Sequence, residues 1–261
     1  MKTEIIYEDR ELLVIRKPAG LATQTAGAGQ PDVVSEMKNY LAGKGEKQPY
    51  LGIIHRLDQP VEGLLVFAKN KRAAAALTKQ LGEQEGSGGL NKQYYAVFCG
   101  KPSEKAGTLV DYMYKGADGR AVIVDNPAEN AGSRGKAGKA PESAEMRGKS
   151  RAPGSPKKAV LEYKILQTVT APSGDELALA DIHIHTGRFH QIRAQMANAG
   201  MALLGDVKYG DDTSKSCSQR LGIRWAALCA CKIAFQHPVS GERLCFEIRP
   251  GTKAFSFFHL L

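Results

Sequence analysis

The sequence is organised around one stretch, residues 52–69, which reads GIIHRLDQPVEGLLVFAK. Its second half, after Gly63, is a continuous apolar run, which is typical of a strand that is covered on both faces. Its first half carries the polar cluster His55, Arg56 and Asp58 in otherwise apolar surroundings. The stretch therefore predicts a buried strand entered through a turn at Asp58, where polar side chains need partners.

A carboxylate at such a turn, with basic residues nearby, can act as a nucleophile or a general base. A turn aspartate that caps backbone amides is the more common case in an arbitrary sequence. A second stretch, residues 182–193 with the sequence IHIHTGRFHQIR, supplies the missing cation and favours the functional interpretation. The two stretches together predict a site that neither predicts alone.

The composition bounds the class of protein. The 261 residues allow one large domain or two small ones, and 43% hydrophobic residues suffice for a sizeable core. The net charge of +9 favours a polyanionic partner such as nucleic acid, although charge alone leaves a merely basic protein open. The sequence lacks the ~20 consecutive apolar residues of a membrane span, and we expect no membrane partner.

The cysteines and the N-terminus favour a cytoplasmic protein. Five cysteines, without the spacing of a disulfide framework, indicate a reducing compartment, and the charged N-terminus does not resemble a signal peptide. Cys229 and Cys231 lie two apart on a predicted strand, where small buried core residues are expected rather than a metal pair. We expect no metal.

Most of the remaining patterns are strands. Helical spacing follows Asp32 and Asn70, which are good N-caps, and recurs from Phe189 to Ala199. Strand patterns occupy residues 5–7, 12–16, 92–98, 108–114, 121–125, 159–170, 176–185, 225–235 and 244–248. Because strands and helices do not alternate regularly, the sequence predicts an α+β fold with a mixed, largely antiparallel sheet and flanking helices.

Periodicity alone does not decide the roles of two positions on these strands. Tyr94 and Tyr95 are adjacent and must point to opposite faces, so either is eligible for a site. Lys17 suits either a phosphate contact or a solvated strand end.

One tract, at about residues 126–157, has no aromatic or β-branched residue between Asn126 and Pro156. It is rich in Gly, Ala, Ser, Lys and Arg, so it has nothing with which to build a core, and we expect a flexible basic insertion. Strands on both sides are expected to pair across it. The tract is therefore not a domain boundary, and residues 1–261 form one domain.

Several separate motifs resemble the RluA-type pseudouridine synthases, which isomerise uridine in ribosomal or transfer RNA. The similar segments are residues 7–20 (YEDRELLVIRKPAG), 55–58 (HRLD), 92–94 (KQY), 187–193 (GRFHQIR) and 205–210 (GDVKYG). The resemblance implies a single pseudouridine synthase catalytic domain, here without the N-terminal RNA-binding domain of many relatives. One departure is Val61-Glu62-Gly63, where many members carry Thr-Ser-Gly, and it affects fine substrate contacts.

The resemblance also implies the site. Asp58 would be the catalytic aspartate, Arg193 would keep it ionised, and Tyr94 would lie against the uracil ring. Arg56 would enter the RNA when the uridine is flipped out. His55, Arg188, His190 and Gln191 would complete the RNA-binding set. The chemistry needs no cofactor, nucleotide or metal, and we expect a monomer whose partner is RNA.

Two rival functions remain at this point. A catalytically silent RNA-binding protein of the same fold would keep the basic face but lose the reaction. A small-molecule glycosidase would need two paired carboxylates, and only Asp58 stands out in the sequence.

Overall fold

The computed structural model describes residues 2–25, 27, 29–81, 88–126 and 155–260. The strands are β1 (Glu4–Glu8), β2 (Leu12–Lys17), β3 (Gly52–Ile53), β4 (Glu62–Ala68), β5 (Asn91–Cys99), β6 (Ala106–Lys115), β7 (Ala121–Val124), β8 (Lys157–Thr170), β9 (Glu176–Ile184), β10 (Leu228–Gln236) and β11 (Arg243–Glu247). The α-helices are α1 (Val33–Gly43), α2 (Lys71–Gln80), α3 (Gln191–Asn198) and α4 (Asp212–Leu221), and a 3-10 turn spans Lys253–Phe257. Within the described ranges, none of the helices is long and apolar enough to cross a membrane.

The described strands form a single mixed sheet. Its order is β1-β2-β4-β10-β5-β9-β8-β6-β7, with β3 added to β4 and β11 added to β10. The pairing of β4 with β10 is parallel, and the other strand pairs of the described chain are antiparallel. The predicted α+β fold with a largely antiparallel sheet is confirmed.

Strand β4 is the centre of the first half of the molecule. All seven of its residues are buried, because β2 and β10 flank it and both of its faces are covered. The parallel contact requires glycine at position 63, whose φ is 135° and where an added Cβ would lie 2.5 Å from the backbone nitrogen of Ala230. The buried strand predicted after Gly63 is thus confirmed.

The sheet register decides which tyrosine faces the site. Gly63 pairs with Ala230, Ala230 with Tyr94, and Tyr94 with Ile182, so these positions follow one line across β4, β10, β5 and β9. Tyr94, Ala230 and Ile182 belong to the same buried cluster as Ile192 of α3. Helix α3 therefore packs on the sheet face that carries Tyr94.

The predicted helix caps are confirmed. Asp32 accepts a hydrogen bond from the backbone nitrogen of Ser35 at 2.7 Å, and Asn70 accepts one from Ala73 at 2.9 Å. Because a capping side chain satisfies a free amide of the first turn, both helices begin where the sequence predicts.

Two helices differ from expectation. Helix α3 begins at Gln191, not at Phe189, because His190 adopts the left-handed region with φ 54°. Helix α4, whose first turn is capped by Asp211, was not predicted from the sequence. Its composition is mostly polar, and Cys217 and Leu221 supply the few apolar side chains that it buries.

Strands on both sides of the basic tract are paired, as predicted, and they share β6 as their partner. Tyr112 of β6 is opposite Val124 of β7 on one side and Lys158 of β8 on the other. The predicted insertion lies, for residues 127–154, outside the described residues.

Cys229 and Cys231 are 0% and 1% exposed in the core, as small buried residues. The interpretation that they are small buried core residues is confirmed.

Candidate active site

The turn that carries Asp58 is fixed on both of its sides. The Thr23 hydroxyl donates to the carbonyl of Leu57 at 2.8 Å and accepts from the Leu57 amide at 3.3 Å. On the other side, the Lys17 ammonium donates to the carbonyl of Gln59 at 3.2 Å. The carbonyl groups of the residues before and after Asp58 are therefore held by side chains from a distant part of the sequence.

Lys17 is fully buried, so neither a phosphate contact nor a solvated strand end describes it, and both expectations are wrong. Its Nζ also donates to the carbonyls of Pro18 at 2.9 Å and Leu21 at 2.7 Å, which satisfies its three donors. Burial lowers the pKa of Lys17 to about 7, although the negative charges of Asp58 and Glu62 oppose this. Lys17 acts as an internal brace of the turn.

Asp58 and Arg193 meet in the structure. Nη1 of Arg193 donates to Oδ2 of Asp58 at 2.8 Å. The Asp58 side chain is 26% exposed and that of Arg193 is 5% exposed, so the cation lies inside and the carboxylate lies at the surface of the cleft. Among the described residues, Oδ1 of Asp58 has no hydrogen-bond donor. One carboxylate oxygen is therefore anchored, and the other is available to a substrate.

Asp206 holds the other side of the guanidinium. Its two oxygens accept from Nε and Nη2 of Arg193, both at 2.7 Å, in the bidentate geometry that the planar fork of arginine permits. Oδ1 also accepts from the backbone amides of Lys208 at 3.0 Å and Tyr209 at 3.1 Å. Asp206 is 1% exposed in its side chain, so this pair is rigid and dry.

The two carboxylates set the charge of Arg193. Burial alone would lower its pKa, but the hydrogen bonds and charges of Asp206 and then Asp58 outweigh burial and raise the pKa above its ordinary value. Arg193 therefore remains a cation, and it is shared unequally between a buried acid and an exposed one.

Tyr94 lies in the same region on β5, with 5% of its surface exposed. Burial raises the pKa of Tyr94 above its ordinary value, and the charge of Asp58 raises it further. The phenol therefore stays protonated at neutral pH and lies within electrostatic reach of the carboxylate. Tyr95 packs instead against the cluster on the opposite face, so the register selects Tyr94.

His190 lies on the other side of the same carboxylate. Its Nε2 is 3.7 Å from Oδ2 of Asp58, and its Nδ1 is 2.7 Å from the hydroxyl of Tyr209. That hydroxyl oxygen accepts from the amide of Ala121 at 2.6 Å, so we assign its hydrogen to Nδ1 and the hydrogen of the imidazole to Nε2. Burial lowers the pKa of His190 to about 4, which keeps the ring neutral near pH 7.

Phe189 adds an aromatic surface at the cleft. It is 39% exposed, its ring stacks on His190 with centroids 3.7 Å apart, and Nζ of Lys115 lies 4.7 Å from its ring centroid. Exposed aromatic rings beside cations are suited to base stacking.

Arg56 and Arg188 are exposed, as residues that contact RNA must be. Arg56, two residues before Asp58, has neither a hydrogen bond nor an ion pair with any described residue. Arg188 donates from Nε to the carbonyl of Lys158 at 2.9 Å, which leaves the rest of its guanidinium free to bind an anion.

His55 and Gln191 do not fit the RNA-binding role given to them. His55 is 8% exposed and its Nε2 accepts from the amide of Val66 at 3.4 Å, inside the sheet. Burial, with the charge of Lys92, lowers the pKa of His55 well below its ordinary value. His55 is a neutral packing residue.

Gln191 is 4% exposed and is used internally. Its Oε1 accepts from the Thr186 hydroxyl at 2.8 Å and the Arg188 amide at 2.9 Å, and its Nε2 donates to the carbonyl of Val160 at 3.1 Å. It shapes the loop that presents Arg188 and His190, and direct contact with RNA is precluded by its burial.

No role was predicted for Asp206, Tyr209 or Thr23 from the sequence. The first two lie in the segment GDVKYG, which is one of the similar motifs, and an acid in the motif that follows the one of Arg193 was the available signal. The sequence offers no such signal for Thr23, because its contact with Leu57 depends on how the tertiary fold brings the two segments together.

A group of potential metal ligands lies elsewhere, at the far end of β5. The ligand atoms of Cys99, Asp175 and Cys217 are within 4.8 Å of one another. Arg220 binds the Asp175 carboxylate and lowers its pKa to about 2. Burial raises the pKa of Cys217 to about 12, so this thiol is protonated near pH 7.

The fold has solved counterparts. Human RNA Pseudouridylate Synthase Domain Containing 4 superposes with a TM-score of 0.64 over 97% of this chain and 92% of that one, at 23% identity. Human RNA Pseudouridylate Synthase Domain Containing 1 gives a TM-score of 0.65 over 95% and 83%, at 19% identity. At these identities the likeness bears on the fold.

Sequence comparison identifies the family. Ribosomal large subunit pseudouridine synthase D of Zymomonas mobilis subsp. mobilis is 32% identical over 254 residues, which cover 94% of this chain and 68% of that protein. tRNA pseudouridine synthase C of Haemophilus ducreyi is 26% identical over 94% of this chain and 89% of its own. The family described as RNA pseudouridylate synthase matches residues 11–198. The chain therefore belongs to the RNA pseudouridylate synthases, the isomerases that convert uridine in RNA to pseudouridine, as the RluA-type motifs predicted.

Proposed function

We propose that this protein converts a specific uridine of ribosomal or transfer RNA to pseudouridine, with Asp58 as the catalytic carboxylate. One observation carries the proposal: Arg193 holds one oxygen of Asp58 at 2.8 Å while the other oxygen is free among the described residues. The names of the relatives, one acting on the large ribosomal subunit and one on transfer RNA, support these two substrate classes.

The reaction is an isomerisation, so all the atoms of the uridine remain. The bond between N1 and C1′ breaks, the uracil turns, and C5 bonds to C1′, while C5 loses a proton and N1 gains one. A carboxylate oxygen starts this sequence by assisting departure of the base from the sugar or by adding to the uracil ring. In both routes the reacting group is the free oxygen of Asp58.

Arg193 and Tyr94 would support this oxygen. Arg193 orients the carboxylate through a planar fork that is itself held by Asp206, so the nucleophile is positioned before the substrate arrives. Tyr94, protonated and beneath the site, offers a ring for the uracil and a hydroxyl that can carry a proton.

The target uridine must leave its stack to reach Asp58, at a cost of a few kcal/mol. Arg56 is exposed, unpaired among the described residues and two positions from Asp58, so it is placed to enter the space that the base vacates. Arg188 would bind backbone phosphate. His190, although neutral, borders Asp58 and supports the site from the other side.

Further parts of the proposal concern the whole molecule. We propose that residues 1–261 act as one catalytic domain, because the described strands share one sheet. Asp58, Arg193 and Asp206 all come from one chain, which supports a monomer. A cytoplasmic location suits the five cysteines, which are all free thiols.

The geometry weighs against the two rival functions. A glycosidase needs a second carboxyl group as acid or base, but both oxygens of Asp206 are bound by Arg193 and its Oδ1 by two backbone amides. A silent RNA-binding protein would have no use for a pre-oriented carboxylate with a free oxygen.

The test is a map of pseudouridine across total RNA from cells that carry or lack the gene. We expect one or a few sites to disappear in the cells without it, and to return when the native gene is supplied but not when the Asp58→Ala gene is supplied. Restoration of the sites by the Asp58→Ala protein would refute the assignment of Asp58. An unchanged map would refute the activity.

A further inference from the structure

A cavity of about 490 Å³ lies beside the turn formed by residues 18–20. Its lining includes Arg16, Pro18, Glu62, Arg224, Trp225 and Lys253. This volume falls within the range of roughly 300–1,000 Å³ that is typical of sites for small organic groups. None of the proposed chemistry uses it.

The cavity is joined to the active site through one turn. Gly20 donates its amide to the carbonyl of Gln59 at 2.8 Å and accepts from the Gln59 side chain at 3.1 Å, and Gln59 follows Asp58. The Trp225 ring packs on Gly20 so closely that an added Cβ would lie 2.6 Å from a ring carbon. The cavity is therefore next to the catalytic turn.

Trp225 also borders the other half of the site. A Cβ added to Gly205 would lie 2.0 Å from the Trp225 carbonyl oxygen, and Gly205 directly precedes Asp206. Trp225 thus lies between Gly20, which is hydrogen-bonded to Gln59, and the segment that holds Arg193.

The indole of Trp225 is nonetheless 44% exposed. Gly20 covers part of the ring, and the rest is accessible at the cavity. An aromatic face open to solvent beside cations is the usual platform for an unpaired nucleobase, and stacking tolerates any base because every base has a π face.

The charged residues of the lining favour an anion. The lining has four cations, Lys2, Arg16, Arg224 and Lys253, and two acids, Glu4 and Glu62. Arg224 is exposed and makes no hydrogen bond or ion pair within the described part of the chain. Lys253 is exposed as well.

The two acids are already occupied. Glu62 is 4% exposed in its side chain and accepts from the amides of Gly251 at 3.0 Å and Thr252 at 2.8 Å, which fixes the wall of the cavity. Arg16 lies 3.4 Å from Glu62 and 3.8 Å from Glu4. The unneutralised charge of the cavity is therefore that of the other cations. Glu62, in the segment Val61-Glu62-Gly63 that departs from the family pattern, thus stabilises the wall of the cavity and does not contact the reacting group.

We propose that this cavity binds an unpaired nucleotide of the RNA substrate, with its base on Trp225 and its phosphate beside Arg224 and Lys253. The inference rests on the proposed function, because it supplies a second contact point for the same RNA. Such a contact would favour uridines in loops, where a neighbouring base is free to leave its stack.

Trp225 is the only tryptophan of the protein, so all of the tryptophan fluorescence comes from the residue at this cavity. The experiment titrates the full protein with a short oligouridylate and follows tryptophan fluorescence together with the anisotropy of a dye on the RNA. We expect saturable quenching with the same dissociation constant in both signals. Binding seen by anisotropy without a change in fluorescence would overturn the proposal, as would absence of binding.

Arg224→Ala is the diagnostic variant and Arg10→Ala is its matched control. Arg10 is an exposed arginine at the turn of the β1–β2 hairpin. Glu4 and Arg16, which line the cavity, lie at the other end of this hairpin, roughly 15–20 Å from Arg10 given the rise per residue of a strand. We expect Arg224→Ala to weaken binding about tenfold and to reduce the slope of log K against log salt by about 0.7, the single-strand value for one phosphate contact. Equal weakening of RNA binding by both variants would contradict a specific binding site in the cavity.

Two further measurements distinguish RNA from a small molecule as the ligand, and the proposed cavity site from the proposed reaction. Uridine monophosphate is expected to bind far more weakly than the oligouridylate, and equal affinity would replace the RNA site by a small-molecule site. The same protein preparations are assayed for pseudouridine formation. Activity with a silent Trp225 signal refutes only the cavity, and quenching without any activity refutes only the proposed reaction.

Discussion

Asp206 binds Arg193 through two hydrogen bonds of 2.7 Å, and the same guanidinium reaches Asp58 with its remaining nitrogen at 2.8 Å. The buried acid thus positions the cation that positions the exposed acid. Because both oxygens of Asp206 are consumed by this task, we propose Asp58 as the carboxylate that carries the chemistry.

Asp206→Asn should impair the reaction without impairing RNA binding. The amide nitrogen would face an N–H group of Arg193, donor against donor, and the fork would lose its fixed orientation. We expect kcat to fall about 100-fold, in line with other losses of positioning, while the affinity for RNA stays within about twofold. Asp212→Asn, at an exposed aspartate of α4, is the control and should leave kcat unchanged. A native kcat in the Asp206→Asn variant would contradict the proposed role of Asp206 in positioning Arg193.

Arg193→Lys should be a severe change. A single ammonium cannot contact the Asp58 oxygen and both oxygens of Asp206, so either the half-buried Asp58 or one oxygen of the buried Asp206 loses its partner. We expect at least a 100-fold loss of kcat and a loss of stability of about 3 kcal/mol. Urea unfolding and single-turnover kinetics measure the two effects. Activity within tenfold of the native enzyme would contradict the shared guanidinium.

His190 should make stability depend on pH on the acid side. Its pKa is lowered to about 4 in the folded protein, from an ordinary value of 6.5, so the unfolded chain binds more protons between these pH values. The free energy of unfolding therefore keeps its full value above about pH 6.5 and decreases as the pH falls toward 4, by an amount on the order of 2 kcal/mol.

His190→Asn is the matching variant, because asparagine tolerates the left-handed backbone at this position. Thermal unfolding at several pH values between 7 and 4.5 should show a shallower decline in the variant than in the native protein. Identical slopes would show that His190 titrates normally.

Lys17→Met should destabilise the fold and disturb the catalytic turn. Methionine has a similar length but no donor, so the carbonyls of Pro18, Leu21 and Gln59 would each lose a hydrogen bond inside the protein. Although burial of the ammonium has its own cost, we expect a net loss on the order of 2 kcal/mol and a lower kcat. Lys71→Met, at an exposed lysine of α2, is the control. An equally stable Lys17→Met protein would show that the brace is dispensable.

The sequence placed Asp58 and Arg193 together in one candidate site because each lies in a short local motif. Asp58 and Arg193 were assigned from two stretches, and the structure brings them into contact. The buried strand after Gly63 was readable from its continuous apolar run. Tyr94 could not be separated from Tyr95 by periodicity, since the choice depends on the pairing of β5 with β10 and β9.

The errors at the site have a common physical cause. His55, Gln191 and Lys17 are polar residues in or near motifs, and such residues look functional when only the sequence is known. In the fold they are buried and satisfy backbone groups of other segments, which depends on tertiary contacts with Val66, Val160 and Gln59. Asp206 was overlooked for the opposite reason, because it lies beyond the end of α3, 13 positions after its partner Arg193.

The most direct measurement is the single-turnover rate of Asp58→Asn on an RNA that contains the mapped uridine, with enzyme in excess. Asparagine keeps the shape of the side chain and removes its charge. The proposal predicts a rate lower by at least about 10⁴-fold, as for the removal of a covalent catalyst, with RNA affinity within about twofold of the native enzyme. A rate within tenfold of the native value would contradict the assignment of Asp58.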